Sequence, residues 1–354
     1  MAYRSARSLA LAWVTGALLV SSGVAPASIH AQDHDATPQV CPAPQSTASS
    51  TAAPTDYPQP VRIAANPAKG FYSPYFLLIP AQISHDTKSL LRILVEPNNS
   101  GFTSDDPEEF EKDALKRICN RWSSRATTLG VAALMPAFPR PKGSAGAPDV
   151  YTHALSRAAM TTTVPTLHRP DLQLIAMIDD AVAREAKAGL RFDRRVLMFG
   201  FSASAQFTNR FVFLHPDRVR AAAYGSPGGW ALAPVTSWQG TFLPYPVGIG
   251  DMKALTGKSV HLKAVAKVPQ FLMLGTADTN DAVVYTDSFD EQAHKLIFEK
   301  FGATLMARWP YTEQLYAKYL PNATLKLYPG IEHKYSPETD ADVMAFFGRY
   351  AKAD

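Results

Sequence analysis

The chain has 354 residues, 46% of them hydrophobic, a formal charge of +4 and only two cysteines. That is enough apolar material for one large core, and too little charge for a nucleic-acid partner. No His-Glu-x-x-His, no Cys/His cluster and no Gly-x-x-x-x-Gly-Lys-Ser/Thr loop occurs, so neither a zinc site nor a phosphate-cradling loop is supported.

Residues 1–31 have the layout of an export signal. Arg4 and Arg7 precede an apolar run from Leu9 to Leu19, and Ala25-Pro26-Ala27 and Ile29-His30-Ala31 offer two cleavage sites. The run is short for a membrane span, so removal and a secreted or periplasmic product are expected, with no stable membrane insertion. Residues 32–66 are rich in Pro, Ala, Ser and Thr and read as a disordered leader. Residues 67–354 read as one folded domain. Cys41 and Cys119 fit a disulfide in an oxidising compartment, or two thiols with Cys119 buried on a helix; both readings stand.

Strand patterns occur at Tyr72–Pro80 and Leu91–Glu96, the second running into the turn Pro97-Asn98-Asn99-Ser100-Gly101. Glu108–Leu129 is amphipathic at helical spacing, with Asp105 or Asp106 and Pro107 at its start. A strand follows at Val131–Pro136 and a helix at Leu172–Leu190. Later strands are expected at Arg220–Tyr224, Pro269–Leu274 and Ala323–Tyr328, with helical patterns near 288–302 and 309–319 and a closing helix that holds Phe346 and Tyr350. Alternation of this kind predicts a mostly parallel, twisted sheet covered by helices on both faces, with chemistry beyond the carboxyl ends of its strands.

One stretch organises the rest. The apolar run Val196–Phe199 stops at Gly200-Phe201-Ser202-Ala203-Ser204, and a helical pattern follows to Leu214. A serine at a strand–turn–helix apex needs small residues two places before and two after it. Ser204 stands where glycine is usual. A serine hydroxyl also needs a base and a carboxylate to orient that base. His333 follows the last predicted strand, in Gly330-Ile331-Glu332-His333. Asp278 follows the strand before it, in Gly275-Thr276-Ala277-Asp278, with Asp281 as the alternative acid. The N–H of Ala203 and one at Asn98 or Asn99 are placed to hold an oxyanion. Trp230, Trp238, Phe242 and Tyr245 lie in an irregular segment after the strand that follows the elbow helix, the position of a lid or substrate wall.

With these three motifs in the order Ser, Asp, His, the chain resembles the α/β-hydrolase superfamily. Within it the chain resembles exported bacterial esterases related to polyhydroxyalkanoate depolymerases and feruloyl esterases, and is similar also to poly(aspartic acid) hydrolases. The resemblance implies a secreted serine hydrolase that cleaves small or polymeric carboxylic esters through an acyl-enzyme, without a cofactor. A peptidase or polyamide hydrolase with the same triad, and a binding protein on the same fold without activity, are the alternatives.

Overall fold

The computed structural model describes residues 35–41, 58–143 and 149–352. The expected export signal lies outside the described residues. Among those described, no helix is long and apolar enough to cross a membrane.

The centre is a nine-stranded sheet: β1 (Ala36–Pro38), β2 (Val61–Ile63), β3 (Tyr75–Leu78), β4 (Ile93–Val95), β5 (Ala132–Pro136), β6 (Val196–Phe201), β7 (Val219–Gly225), β8 (Gln270–Gly275) and β9 (Ala323–Tyr328). Their spatial order is β1-β2-β3-β5-β4-β6-β7-β8-β9. From β4 to β9 every pairing is parallel, while β1, β2 and β3 form an antiparallel margin. Parallel strands need crossovers, and here helices supply most of the covering. The longer ones are α1 (Pro107–Arg117), α2 (Ser123–Leu129), α3 (Pro170–Lys187), α4 (Ala203–Leu214), α5 (Glu291–Phe301), α6 (Leu305–Tyr319) and α7 (Pro337–Gly348).

Side-chain alternation along the strands fills two separate core layers. In β6, Val196 and Met198 enter one layer with Met177 and Ile178 of α3 and Phe207 and Phe211 of α4. Leu197 and Phe199 enter the other, with Ala114 of α1, Ala126 of α2 and Val343 and Phe347 of α7. Strands buried on both faces read as unbroken apolar runs, which is how β6 and β8 look in the sequence.

Three expectations change. The amphipathic stretch 108–129 is not a single α-helix: a π-helical turn, Ile118–Trp122, separates α1 from α2. This turn brings Ile118, Cys119 and Trp122 all into the core. The leader expected at 32–66 is not wholly without structure. Its residues 36–38 pair with 61–63, Asp35 bonds to Arg184, and Cys41 is joined to Cys119 by a disulfide with Cα atoms 5.6 Å apart. Main-chain pairing and a covalent bond need few large apolar side chains, so composition does not reveal them. The segment 230–260 packs as part of the core rather than lying over it as a separate cap. It holds a two-residue hairpin turn at Gln239-Gly240 with positive φ at both positions, and Trp230, Leu232, Leu243, Tyr245 and Val247 are all buried.

Candidate active site

Because β4 to β9 are parallel, their carboxyl ends share one edge of the sheet. Ser202 lies at that edge, between β6 and α4. Its φ of 61° and ψ of −123° are strained for a residue with a side chain. The chain reverses within one residue, and the neighbours permit it. A Cβ on Gly200 would lie 2.2 Å from the carbonyl oxygen of Ser204, so only glycine fits there. Ser204 is fully buried, and its hydroxyl accepts from Phe201 N–H at 2.9 Å and donates to Phe201 O at 3.0 Å. The departure from glycine therefore stitches the turn. Ser202 N–H donates to Gly225 O at 3.0 Å, which fixes the turn to β7.

Two further loops close on this edge. Gly275 at the end of β8 approaches Ile331 so closely that a Cβ would stand 2.0 Å from the Ile331 carbonyl, and Ala277 N–H donates to the same oxygen at 3.0 Å. This contact sets Asp278 beside His333. His333 Nδ1 lies 2.9 Å from Asp278 Oδ2, and the Asp278 side chain is buried. Burial works to raise the Asp278 carboxyl. Hydrogen bonds from His333, the Ser226 hydroxyl and Asn280 N–H outweigh it and hold the group below the usual carboxylate range. An ionised Asp278 accepts a hydrogen bond from Nδ1–H of His333, which leaves Nε2 with the lone pair. The imidazole lies against the Phe201 ring, 5.0 Å between centroids, next to the serine. Among the described residues no hydrogen bond joins Ser202 Oγ to His333; such bonds are often long before substrate binds.

Asp281, the alternative acid, is committed elsewhere. Its carboxylate takes both terminal nitrogens of buried Arg308, one at 2.9 Å, and Oδ1 also accepts from Val283 N–H. Arg308 in turn holds the carbonyls of Gly229 and Gly302. Asp281 is a structural anchor, and Asp278 alone faces the histidine.

Ala203 is the first residue of α4, where a backbone N–H has no partner within the helix. Across from it runs the loop after β4. Asn98 is fully buried and grips Phe138 through both its main-chain groups, Nδ2 to Phe138 O and Phe138 N to Oδ1, each at 3.0 Å. Its side chain is therefore spent on holding the loop. Asn99 Nδ2 donates to Phe201 O at 3.0 Å.

No protein-family model matches the chain, and no curated protein matches it in sequence. Solved structures do match. A poly(aspartic acid) hydrolase from Sphingomonas sp. KT-1 is 21% identical, with 79% of this chain and 93% of that one covered at a TM-score of 0.50. The fold is that of the α/β-hydrolases. A poly(3-hydroxybutyrate) depolymerase from Bordetella parapertussis is 17% identical, over 83% of this chain and 91% of that one, at a TM-score of 0.49. An S-formylglutathione hydrolase from Agrobacterium tumefaciens is 12% identical, over 86% and 99%, at 0.46.

On this α/β-hydrolase fold the aromatic residues expected as a substrate wall divide. Trp230 is 3% exposed, stacks on Phe301 at 4.1 Å and donates to Val247 O; Tyr245 is 1% exposed with its hydroxyl on Leu155 O. Both are core residues. Trp238 packs on Phe301 and Tyr311, and only Phe242 is well exposed. Local sequence does not tell a buried aromatic ring from one lining a cleft.

Other residues at the site had no signal in the sequence. Ser226, with φ 49°, supports Asp278. Glu96, just before the Asn98 loop, is 1% exposed and bonds to Arg121 and Trp122 of the π turn. The Arg121 guanidinium lies 5.0 Å over Tyr335, two residues past His333, and Tyr335 packs on Phe201 at 4.7 Å. The π turn thus touches both the Asn98 loop and the histidine loop.

Proposed function

We propose that the protein is a serine hydrolase that cleaves carboxylic ester bonds. The observation that carries this reading is the Asp278–His333 pair at 2.9 Å, beside a serine in a strained turn at the mouth of a helix. In this reading His333 Nε2 takes the proton of Ser202 Oγ as the oxygen attacks the ester carbonyl. Asp278 holds the tautomer and stabilises the imidazolium. The oxyanion is received by Ala203 N–H and by a backbone N–H of Asn98 or Asn99. His333 then protonates the departing alcohol, and water, deprotonated by the same nitrogen, releases the acyl group from Ser202. No step calls for a metal or organic cofactor.

Export to the periplasm or beyond is part of the proposal. Supporting it are the signal-like residues 1–31 and the Cys41–Cys119 disulfide, which suits an oxidising compartment.

The test is covalent labelling with a fluorophosphonate together with turnover of short p-nitrophenyl esters. Wild type labels and turns over, and Ser202→Ala does neither. A protein that resists the probe and cleaves no ester is a binding protein on a hydrolase fold. A second reading, amide cleavage with the same residues, is prompted by the poly(aspartic acid) hydrolase likeness. Faster cleavage of peptide amides or poly(aspartate) than of esters selects it.

A further inference from the structure

The loop that carries Asn98 and the helix that carries Ala203 come from different parts of the chain, yet an oxyanion pocket needs N–H groups from both at one fixed separation. A buried segment spans the gap between them. It consists of the 3₁₀ turn Thr152–Ala154 and the following Leu155, all fully buried. Leu155 has φ 52°, uncommon for a residue with a side chain.

One side of this segment grips the loop after β5. His153 Nε2 lies 2.7 Å from Phe138 O, and the Thr152 hydroxyl donates to Pro139 O. Phe138 is the residue that Asn98 holds by both of its amide groups. The other side grips α4. Arg210 Nη1 donates to Ala154 O at 2.7 Å and to Leu155 O at 3.3 Å, and Ala154 forms a buried cluster with Tyr151 and Ala203. Asn98, Phe138, His153, Ala154 and Ala203 thus form one line of contacts from one proposed oxyanion donor to the other.

Within that line His153 is the costly member. A carbonyl only accepts, so Nε2 carries the hydrogen. Asn98 Nδ2, 3.0 Å from the same ring nitrogen, therefore gives its own hydrogen to Phe138 O and not to the ring. Burial pushes the imidazole down to about 3, so the ring is neutral near pH 7. Nδ1 is then the bare nitrogen, and it has no partner among the described residues. Enclosing such a ring costs more than enclosing a hydrocarbon of its size. Phe110 meets the ring edge to face at 5.7 Å, a contact that an apolar side chain also makes. What the imidazole adds is the single hydrogen bond to Phe138.

We propose that His153 is a positioning residue for the oxyanion pocket: by holding Phe138 it sets the Asn98 loop at its distance from Ala203. The proposal rests on the serine hydrolase reading, because the pocket is that of the same serine. An error of about 1 Å in such a separation costs up to about 10² in rate, and it falls on the transition state more than on bound substrate.

The experiment measures steady-state cleavage of a short p-nitrophenyl ester, with kcat expressed per site that takes a fluorophosphonate at completion. His153→Leu fills the space without a donor, and His153→Gln returns an N–H. His153→Leu is expected to lower kcat roughly tenfold with KM within about twofold. Labelling by the fluorophosphonate is expected to slow by a similar factor, because its phosphoryl oxygen occupies the same pocket. His153→Gln is expected to stay within about threefold of wild type in kcat. The acid limb of kcat/KM, set by His333, stays in place in both variants. A folded His153→Leu protein with wild-type kcat, a loss confined to KM, or a His153→Gln protein no faster than His153→Leu overturns the proposal. His153→Met takes the place of the leucine variant if that one does not fold. If neither folds, the histidine serves the fold alone and the proposal is overturned as well. Wild type and Ser202→Ala report on the hydrolase reading separately, through ester cleavage and labelling that only the first shows. A wild type that neither cleaves nor labels ends both.

Discussion

Asn99 Nδ2 donates to the carbonyl oxygen of Phe201 at 3.0 Å, so the loop leaving β4 is fastened to the residue just before Ser202. The same oxygen also accepts from Ser204 Oγ. One carbonyl thus sets the distance between the two backbone segments proposed to hold the oxyanion. Asn99→Ala is expected to lower kcat by roughly tenfold with little change in KM, since it loosens a donor needed most in the transition state. Asn98→Ala leaves the Phe138 N–H without its partner and the Phe138 carbonyl with His153 alone, and is expected to cost about 1–3 kcal/mol of stability. Stopped-time ester kinetics beside urea unfolding separate the two outcomes.

The two aspartates of the loop after β8 are expected to fail differently. Asp278→Asn removes the group that orients His333, and kcat falls by roughly 10⁴ with the fold intact. Asp281→Asn removes the counter-charge of the buried Arg308 guanidinium and turns an amide NH2 toward one of its nitrogens, and about 3–5 kcal/mol of stability is lost. If Asp281→Asn were instead the inactive, stably folded variant, the acid would be misassigned.

Ser204→Gly restores the more usual elbow residue but removes both hydrogen bonds to Phe201. A loss of about 1–2 kcal/mol in unfolding free energy is expected, together with the added backbone freedom of glycine. Thermal unfolding in parallel with fluorophosphonate labelling rates checks it.

Two buried groups are expected to bend the stability curve in opposite senses. His153, fully buried with Nε2 donating to Phe138 O at 2.7 Å, is pushed down to about 3, chiefly by desolvation. Below its unfolded pKa of ~6.5 only the unfolded chain takes up that proton, so stability falls with pH by about 1.4 kcal/mol per unit. Glu185 is pushed up to about 7, again by burial, against the pull of Arg184. Its folded form keeps a proton that the unfolded chain has lost, so stability falls as pH rises from about 4.5 through 7. Glu185→Gln is expected to stabilise the protein at pH 8 by about 2–3 kcal/mol and to do little at pH 4. Urea midpoints across this range read both effects.

Much of this edge is legible from the chain alone, because its demands are local. The turn at Ser202 needs Gly200 and a small residue at 204 whatever lies around it. Strands β6 and β8 are marked by apolar runs that burial on both faces requires. What is not legible depends on distant partners. Asp278 and Asp281 stand three residues apart in similar surroundings, and only Arg308, far along the chain, tells them apart. Trp230 looks like a wall residue until Phe301 stacks on it. Strand β1 is three residues of no special composition, held by pairing to β2 and by the covalent link at Cys41.

That link has a reach beyond its own surroundings. Cys119 belongs to the π turn whose Arg121 and Trp122 grip Glu96 ahead of the Asn98 loop and whose Arg121 also covers Tyr335 beyond His333. The bridge closes a span of 78 residues, for which chain-entropy reasoning gives about 4–5 kcal/mol. Newly made chain still among cytosolic thiols lacks this brace, and so do both loops that frame the serine. Turnover, and not merely resistance to heat, should therefore rise when the thiols are oxidised; on the proposed export route, hydrolysis would then be withheld until the chain reached an oxidising compartment. Equal kcat for the bridged protein and a folded Cys41→Ser variant would show that the brace and the chemistry are independent.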